Sequence, residues 1–142
     1  MKLKALSIRQ PWCDSILSGA KPVENRSWST RYRGLIALHA AKTIDEEGIA
    51  WHRACGHALA PRIEAGAYLG VARLVDVVAA HESPWFFGPW GFVLTDPVRL
   101  QTPIPARGMP GLFIPDEADQ ARIMDAARWA AFDMGEPERV KA

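Results

Sequence analysis

A chain of 142 residues, 49% hydrophobic and 23% charged, has the make-up of one ordinary globular domain, which excludes a multidomain machine. A net charge of +1 argues, taken whole, against a strongly basic nucleic-acid binder. The distribution says more: residues 1–42 hold eight Lys and Arg against two acids, a local +6, while the segment from Asp116 onward holds seven acids against four bases.

Taken in chain order, Lys2 to Arg9 alternates, with Leu6 and Ile8 on one face and Ser7 and Arg9 on the other, as a half-buried strand does. Trp12, Ser15, Ile16 and Leu17 then recur at helical spacing, with Pro11 suited to the first turn and Gly19 to a left-handed close. Lys21 to Trp28 has strand spacing but is mostly polar, so it is expected to line something wet. Arg33 to Ala41 is nearly all apolar and reads as a buried strand. Thr43 is the expected N-cap of a helix that runs to about Cys55 and stops at Gly56, with acids in its first turn to oppose the dipole.

Gly66 to Ala80 is rich in β-branched residues and predicts a long, bent central strand. Pro84 to Pro89 is a loop carrying Trp85, Phe86 and Phe87, and Trp90 to Leu94 is a strand stopped by Asp96-Pro97. Pro103 to Gly108 is extended by its prolines, with Arg107-Gly108 read as a turn rather than as a backbone approach to a cleft. Leu112 to Ile114 is a last short strand. Glu117 to about Phe132 is a helix with Ile123, Ala126, Ala127 and Ala130 on one face, followed by a polar tail. Short strands interrupted by two early helices, with antiparallel-style turns and no βαβ alternation, predict an α+β, mainly β fold: a small closed or partly closed barrel decorated by short helices, plus a C-terminal helix.

Neither GxGxxG nor GxxxxGK[ST] occurs, so no dinucleotide or P-loop nucleotide cofactor is expected. His52, Cys55 and His57 lack paired ligand spacing, so no metal is expected either. Cys13 and Cys55 follow no disulfide framework and fit free thiols in a reducing compartment. No stretch approaches the roughly 18 apolar residues of a membrane span, and a cytoplasmic protein with no membrane partner is expected.

The densest polar chemistry is Gly19-Ala20-Lys21-Pro22-Val23-Glu24-Asn25-Arg26-Ser27-Trp28. Strand alternation points Glu24 and Arg26 to one face and Lys21 to the other, unless the chain bends at Lys21-Pro22, where proline restricts its predecessor. Ala5-Leu6-Ser7-Ile8-Arg9-Gln10-Pro11-Trp12, then Gly19-x-Lys21-x-x-Glu24-x-Arg26, Tyr32-Arg33-Gly34 and the run ending at His39-Ala40 closely resemble the ASCH domains of the PUA-like superfamily. Trp90 to Leu94, Pro103 to Gly108 and Gly111-Leu112-Phe113 follow in the same order and look most like the EOLA-like branch. The resemblance spans about residues 3–115, giving a domain over 1–115 and a C-terminal helix and tail over 116–142 that packs on or extends it.

The resemblance implies a PUA-like barrel whose cleft binds single-stranded RNA or a modified pyrimidine nucleoside or nucleotide. By position it implies Ser7, Arg9, Gln10, Lys21, Glu24, Arg26, Trp28 and Arg33 as binding residues. Lys and Arg can neutralise phosphate, a carboxylate can accept from a base amino group, and Trp12, Trp28 and the Trp85 to Phe87 loop offer flat faces for a base. Core packing is the competing role for each Trp, foremost for Trp12 and Trp90.

Some members of the family are hydrolases, acting as amidohydrolases on N4-acetylcytidine or as ribonucleases, which makes hydrolysis the alternative. Lys21 and Glu24 are then the catalytic pair, Glu24 activating water and Lys21 stabilising the oxyanion. The acetylcytidine hydrolases carry Thr where this chain has Glu24, which removes a hydroxyl from that mechanism. His39 is the weaker acid–base candidate, since a histidine at the end of a buried strand is first a hydrogen-bonded core residue. Ser7 and Ser15 sit in no GxSxG context. A partner-binding adaptor without chemistry is the third reading.

Overall fold

The structure is a computed structural model that describes residues 3–133, with side chains to residue 128. The expected polar tail and the side chain of Ala130 lie outside the described residues, as does Lys2 of the first strand. The elements run β1 (Lys4–Ile8), α1 (Trp12–Leu17), β2 (Val23–Arg26), β3 (Gly34–Ala40), α2 (Glu46–Cys55), β4 (Ala67–Val78), β5 (Trp90–Pro105), β6 (Leu112–Phe113) and α3 (Glu117–Asp133). They form one six-stranded sheet in the order β2-β5-β4-β3-β1-β6.

The sheet is the partly closed, mainly β barrel expected. One pairing departs from the antiparallel expectation: β1 and β3 are parallel, from Lys4 opposite Ile36 to Ile8 opposite Ala40. Parallel neighbours need a long crossover, and α1 with β2 supplies it. β1 meets β6 only at Ala5 and Leu6, so the edge of β1 beyond them is free of strand pairing.

Two cores lie on opposite faces. On one, Leu6, Ile8, Ile36, Leu38 and Phe92 pack with Cys13, Ile16 and Leu17 of α1. On the other, Ala5, Ala37, Tyr68, Val71, Val98 and Leu100 pack against Ile123 and Ala127 of α3, so the expected apolar stripe of that helix docks on the sheet. Gly70 lets α1 and β5 close over β4, because a Cβ there would lie 2.4 Å from Leu17 Cδ2 and 2.5 Å from the Val98 carbonyl oxygen.

Two expected boundaries are corrected. Asp96-Pro97 does not stop a strand: β5 runs through it for 16 residues. Asp96 takes φ of 53°, and the pairing steps from Val71 opposite Val98 to Arg73 opposite Thr95, so the two residues form a bulge that accommodates a proline with no N–H. The N-cap of α2 is Asp45 rather than Thr43, its carboxylate accepting from the Gly48 N–H, and Gly56 closes the helix at φ 75°. Among the described residues no helix is long and apolar enough to cross a membrane.

Candidate functional site

The segment expected to line a wet surface is inside the protein. Lys21 and Glu24 are 2% and 6% exposed. The Lys21 N–H bonds to the Ser15 carbonyl at the end of α1, which turns the chain before β2 begins. This bend brings Lys21 to the same side as Glu24. Its Nζ donates to Glu24 Oε1 at 2.7 Å and to the Val23 carbonyl at 2.6 Å, and lies 5.7 Å from the Trp12 ring centroid. A buried ammonium needs such an arrangement, since its desolvation is offset only by close partners.

Arg26 continues the line. Its Nε lies 3.8 Å from Glu24 Oε2, too far for a hydrogen bond, while Nη2 donates to the Ser7 carbonyl at 2.7 Å. The guanidinium also stands 5.9 Å from the Trp28 ring, which meets Phe92 edge-on at 5.1 Å. Lys21, Glu24, Arg26, Trp28 and the backbone of Ser7 are therefore brought together.

The other predicted residues are placed differently. Gln10 is fully buried, its Nε2 donating to the Glu64 carbonyl and its Oε1 accepting from the Asp14 N–H, so it caps α1 where Pro11 has no side-chain cap to offer. Arg33 is exposed and bonds the Thr30 and Tyr32 carbonyls. Arg9 is exposed beside Asp45. The Ser7 side chain turns to the α3 face, where its Oγ lies 2.9 Å from His39 Nδ1. His39 is 1% exposed and its Nε2 bonds the Ala106 carbonyl at 2.8 Å, so both ring nitrogens have partners. Gly108 is a backbone approach point rather than a simple turn: a Cβ on it would lie 2.6 Å from Ser7 Oγ and 2.8 Å from His39.

Sequence reasoning offered Trp12, Trp85 and Phe87 as flat faces but missed that Trp51, His52 and His57 join them in one aromatic group beside Lys21. Trp12 packs on Trp51, His52, Trp85 and Phe87 at centroid distances of 4.9–6.4 Å, and His57 lies 4.4 Å from Trp85. Trp85 is buried, whereas Phe87 is 58% exposed at the edge of the group. The signal available was Gly48, a glycine in the first turn of a helix, where a Cβ would sit 2.8 Å from Trp12 Nε1. That indole nitrogen donates to Asp45 Oδ2 at 2.9 Å. This bond, helped by the Gly48 N–H and the Arg9 charge, holds the Asp45 carboxyl below its ordinary range despite partial burial.

His52 lies beneath the rings, fully buried. Its Nδ1 bonds the Gly48 carbonyl at 2.7 Å, so Nδ1 carries the proton and Nε2 accepts from Ser15 Oγ at 2.6 Å. Burial pushes this imidazole below its usual value. Cys55, one turn away, is exposed and does not converge with it.

The family model for the ASCH domain matches residues 6–120. The chain belongs to the ASCH domain family. Human activating signal cointegrator 1 is 26% identical over 124 residues, covering 76% of this chain and 21% of the relative, so the chain spans about a fifth of that protein's length. The crystal structure of an ASCH protein from Zymomonas mobilis superposes with a TM-score of 0.54 at 16% identity, covering 87% of this chain and 94% of that one. A point mutant of the same Zymomonas mobilis protein gives 0.53 at 16% identity, over 88% and 98% of the two chains. These likenesses establish the ASCH fold, within which Glu24 and Arg26 lie on β2 and Lys21 in the turn before it.

Proposed function

We propose that this ASCH domain binds single-stranded RNA or a modified pyrimidine nucleotide on the surface where Phe87 and Trp51 border Trp12, with Arg9 supplying the nearby positive charge. The observation that carries the reading is the exposed Phe87 ring, set edge-on to Trp51 at 5.6 Å and to Trp12 at 6.4 Å on a fixed frame. An unstacked base finds a flat apolar face there, and a phosphate finds Arg9. Lys21, Glu24 and Arg26 hold the frame from beneath. Gln10 and Trp28 act as supports, and Arg33 contributes only charge at a distance. The free thiols favour a reducing, cytoplasmic setting.

The test is quenching of tryptophan fluorescence by a short pyrimidine oligoribonucleotide. Phe87→Ala is expected to weaken binding by about 1–3 kcal/mol, the worth of one stacked base. Unchanged affinity in that variant overturns the reading.

Hydrolysis of an N4-acylated cytidine or of RNA is the second reading, favoured by the 2.7 Å contact between Lys21 Nζ and Glu24. It requires a pair already satisfied by Val23 and by each other to open toward substrate, which places binding first. Release of acetate from N4-acetylcytidine by the parent protein, lost in Lys21→Ala, would reverse that order.

A further inference from the structure

A cavity of about 610 Å³ opens on the other side of the sheet from Lys21 and Glu24, at the ends of β1 and β3, and neither of those residues lines it. Ser7 and His39 form its polar floor, and Lys42 and Arg107 stand on its wall with no acidic residue among its lining. Both cations are exposed, and neither has a carboxylate partner among the described residues. The remaining wall is small or apolar, as at Ala65 and Met109.

The proton inventory of the floor is determined by one bond. The Ala106 carbonyl can only accept, so His39 Nε2 carries the hydrogen between them. In the neutral imidazole Nδ1 then has a lone pair and takes the Ser7 hydroxyl proton. Ser7 Oγ is left with acceptor lone pairs alone. A ligand meeting it must offer an O–H or N–H, and a ligand meeting Lys42 and Arg107 is favoured by negative charge. Gly108 keeps this floor narrow, because any side chain there would collide with both floor residues.

We propose that this cavity is a second ligand site, separate from the aromatic surface, which takes a phosphomonoester carrying a sugar hydroxyl. The phosphate lies toward Lys42 and Arg107, and the hydroxyl donates to Ser7 Oγ. A free sugar phosphate and a ribonucleotide share this chemistry.

Isothermal titration calorimetry of the whole chain with ribose 5-phosphate, cytidine 5′-monophosphate and inorganic phosphate tests it. Saturable binding of at least one of the first two is expected, weakened about tenfold or more by Arg107→Gln and by Lys42→Gln, since charge-assisted bonds are the stronger ones. Ser7→Ala is expected to weaken it about fivefold, the worth of one neutral hydrogen bond. The two surface variants keep the test valid if Ser7→Ala misfolds. Ribose 5-phosphate has no base to stack, so Phe87→Ala should leave its binding unchanged, which separates the site from the aromatic surface. In Phe87→Ala, where the aromatic surface is disabled, tighter binding of the nucleotide than of the sugar phosphate identifies the base as part of the ligand, and equal binding identifies the sugar phosphate alone; both support the site. No saturable binding by either, or binding lost in Phe87→Ala but kept in Arg107→Gln, overturns it. Inorganic phosphate binding as tightly as ribose 5-phosphate overturns the role of Ser7.

Discussion

The Arg26 guanidinium on β2 donates to the Ser7 carbonyl on β1 at 2.7 Å, joining two strands that stand at positions one and five of the six-stranded sheet. Curling brings the far ends of the sheet within reach, and the bond falls on the stretch of β1 that follows its pairing with β6. Arg26 thus ties the first strand of the sheet order to the fifth and closes the barrel.

Replacing Arg26 should therefore act on stability. Arg26→Ala leaves the Ser7 carbonyl without its charged donor and is expected to cost about 1.5–3 kcal/mol, the range for hydrogen bonds to charged groups. Arg26→Lys should recover only part of this, because an ammonium on a shorter reach does not reproduce the fork. Urea denaturation measures both; a loss below about 0.5 kcal/mol for Arg26→Ala, the usual limit for a surface change, contradicts the closing role.

Lys21 and Glu24 should behave as a coupled pair. Glu24→Leu alone strands a buried ammonium and is expected to cost about 3–5 kcal/mol, whereas Lys21→Met with Glu24→Leu removes both charges and should be much nearer the parent. A double-mutant cycle by chemical denaturation reads the coupling. Strict additivity would show that the 2.7 Å contact is energetically empty.

His52 should make stability depend on pH. Its folded pKa lies below the unfolded value because burial disfavours the imidazolium. The unfolded chain therefore takes up a proton first as pH falls, and stability present above the ordinary pKa of about 6.5 declines below it until the folded group also titrates. His52→Asn should flatten the slope of unfolding free energy between about pH 7 and pH 5. An identical slope in the variant argues that the imidazole contributes nothing there.

The two cysteines should differ in reactivity. Cys13 is completely buried, and burial, reinforced by Asp14, pushes its thiol far above the usual range, while Cys55 is exposed. Iodoacetamide at neutral pH is expected to label one thiol in the native protein and both in denaturant, counted by mass spectrometry. Labelling of both under native conditions would mean that α1 opens readily.

Much of this architecture was legible because period and punctuation agree. The alternation of Leu6 and Ile8, the Gly19 and Gly56 closes and the Ile123 and Ala127 stripe all appear where pattern places them. Asp96-Pro97 misled because a proline that ends most strands can sit at a bulge, and nothing local distinguishes the cases. Lys21 misled for another reason. Polarity signals solvent only when charges lack partners, and its partner became visible once the bend before β2 was known. The signature residues were readable as a group, but the Trp51 and His57 rings joined them through tertiary packing of α2, which leaves only the trace of a helical glycine.

The bulge at Asp96-Pro97 also decides where α3 can dock. Phe92 and Leu94 face α1, yet Val98 and Leu100, which share their even numbering, face α3. One extra residue exchanges the two sides of the strand partway along its length. Flattening the bulge into simple alternation with both residues kept would turn Val98 and Leu100 away from Ile123 and Ala127, and present Arg99 to the helix instead. Deleting one residue of the pair would remove the bulge and leave Val98 and Leu100 on the α3 side. The seat of the C-terminal helix is therefore set by where the strand absorbs its extra residue, and not by hydrophobicity alone.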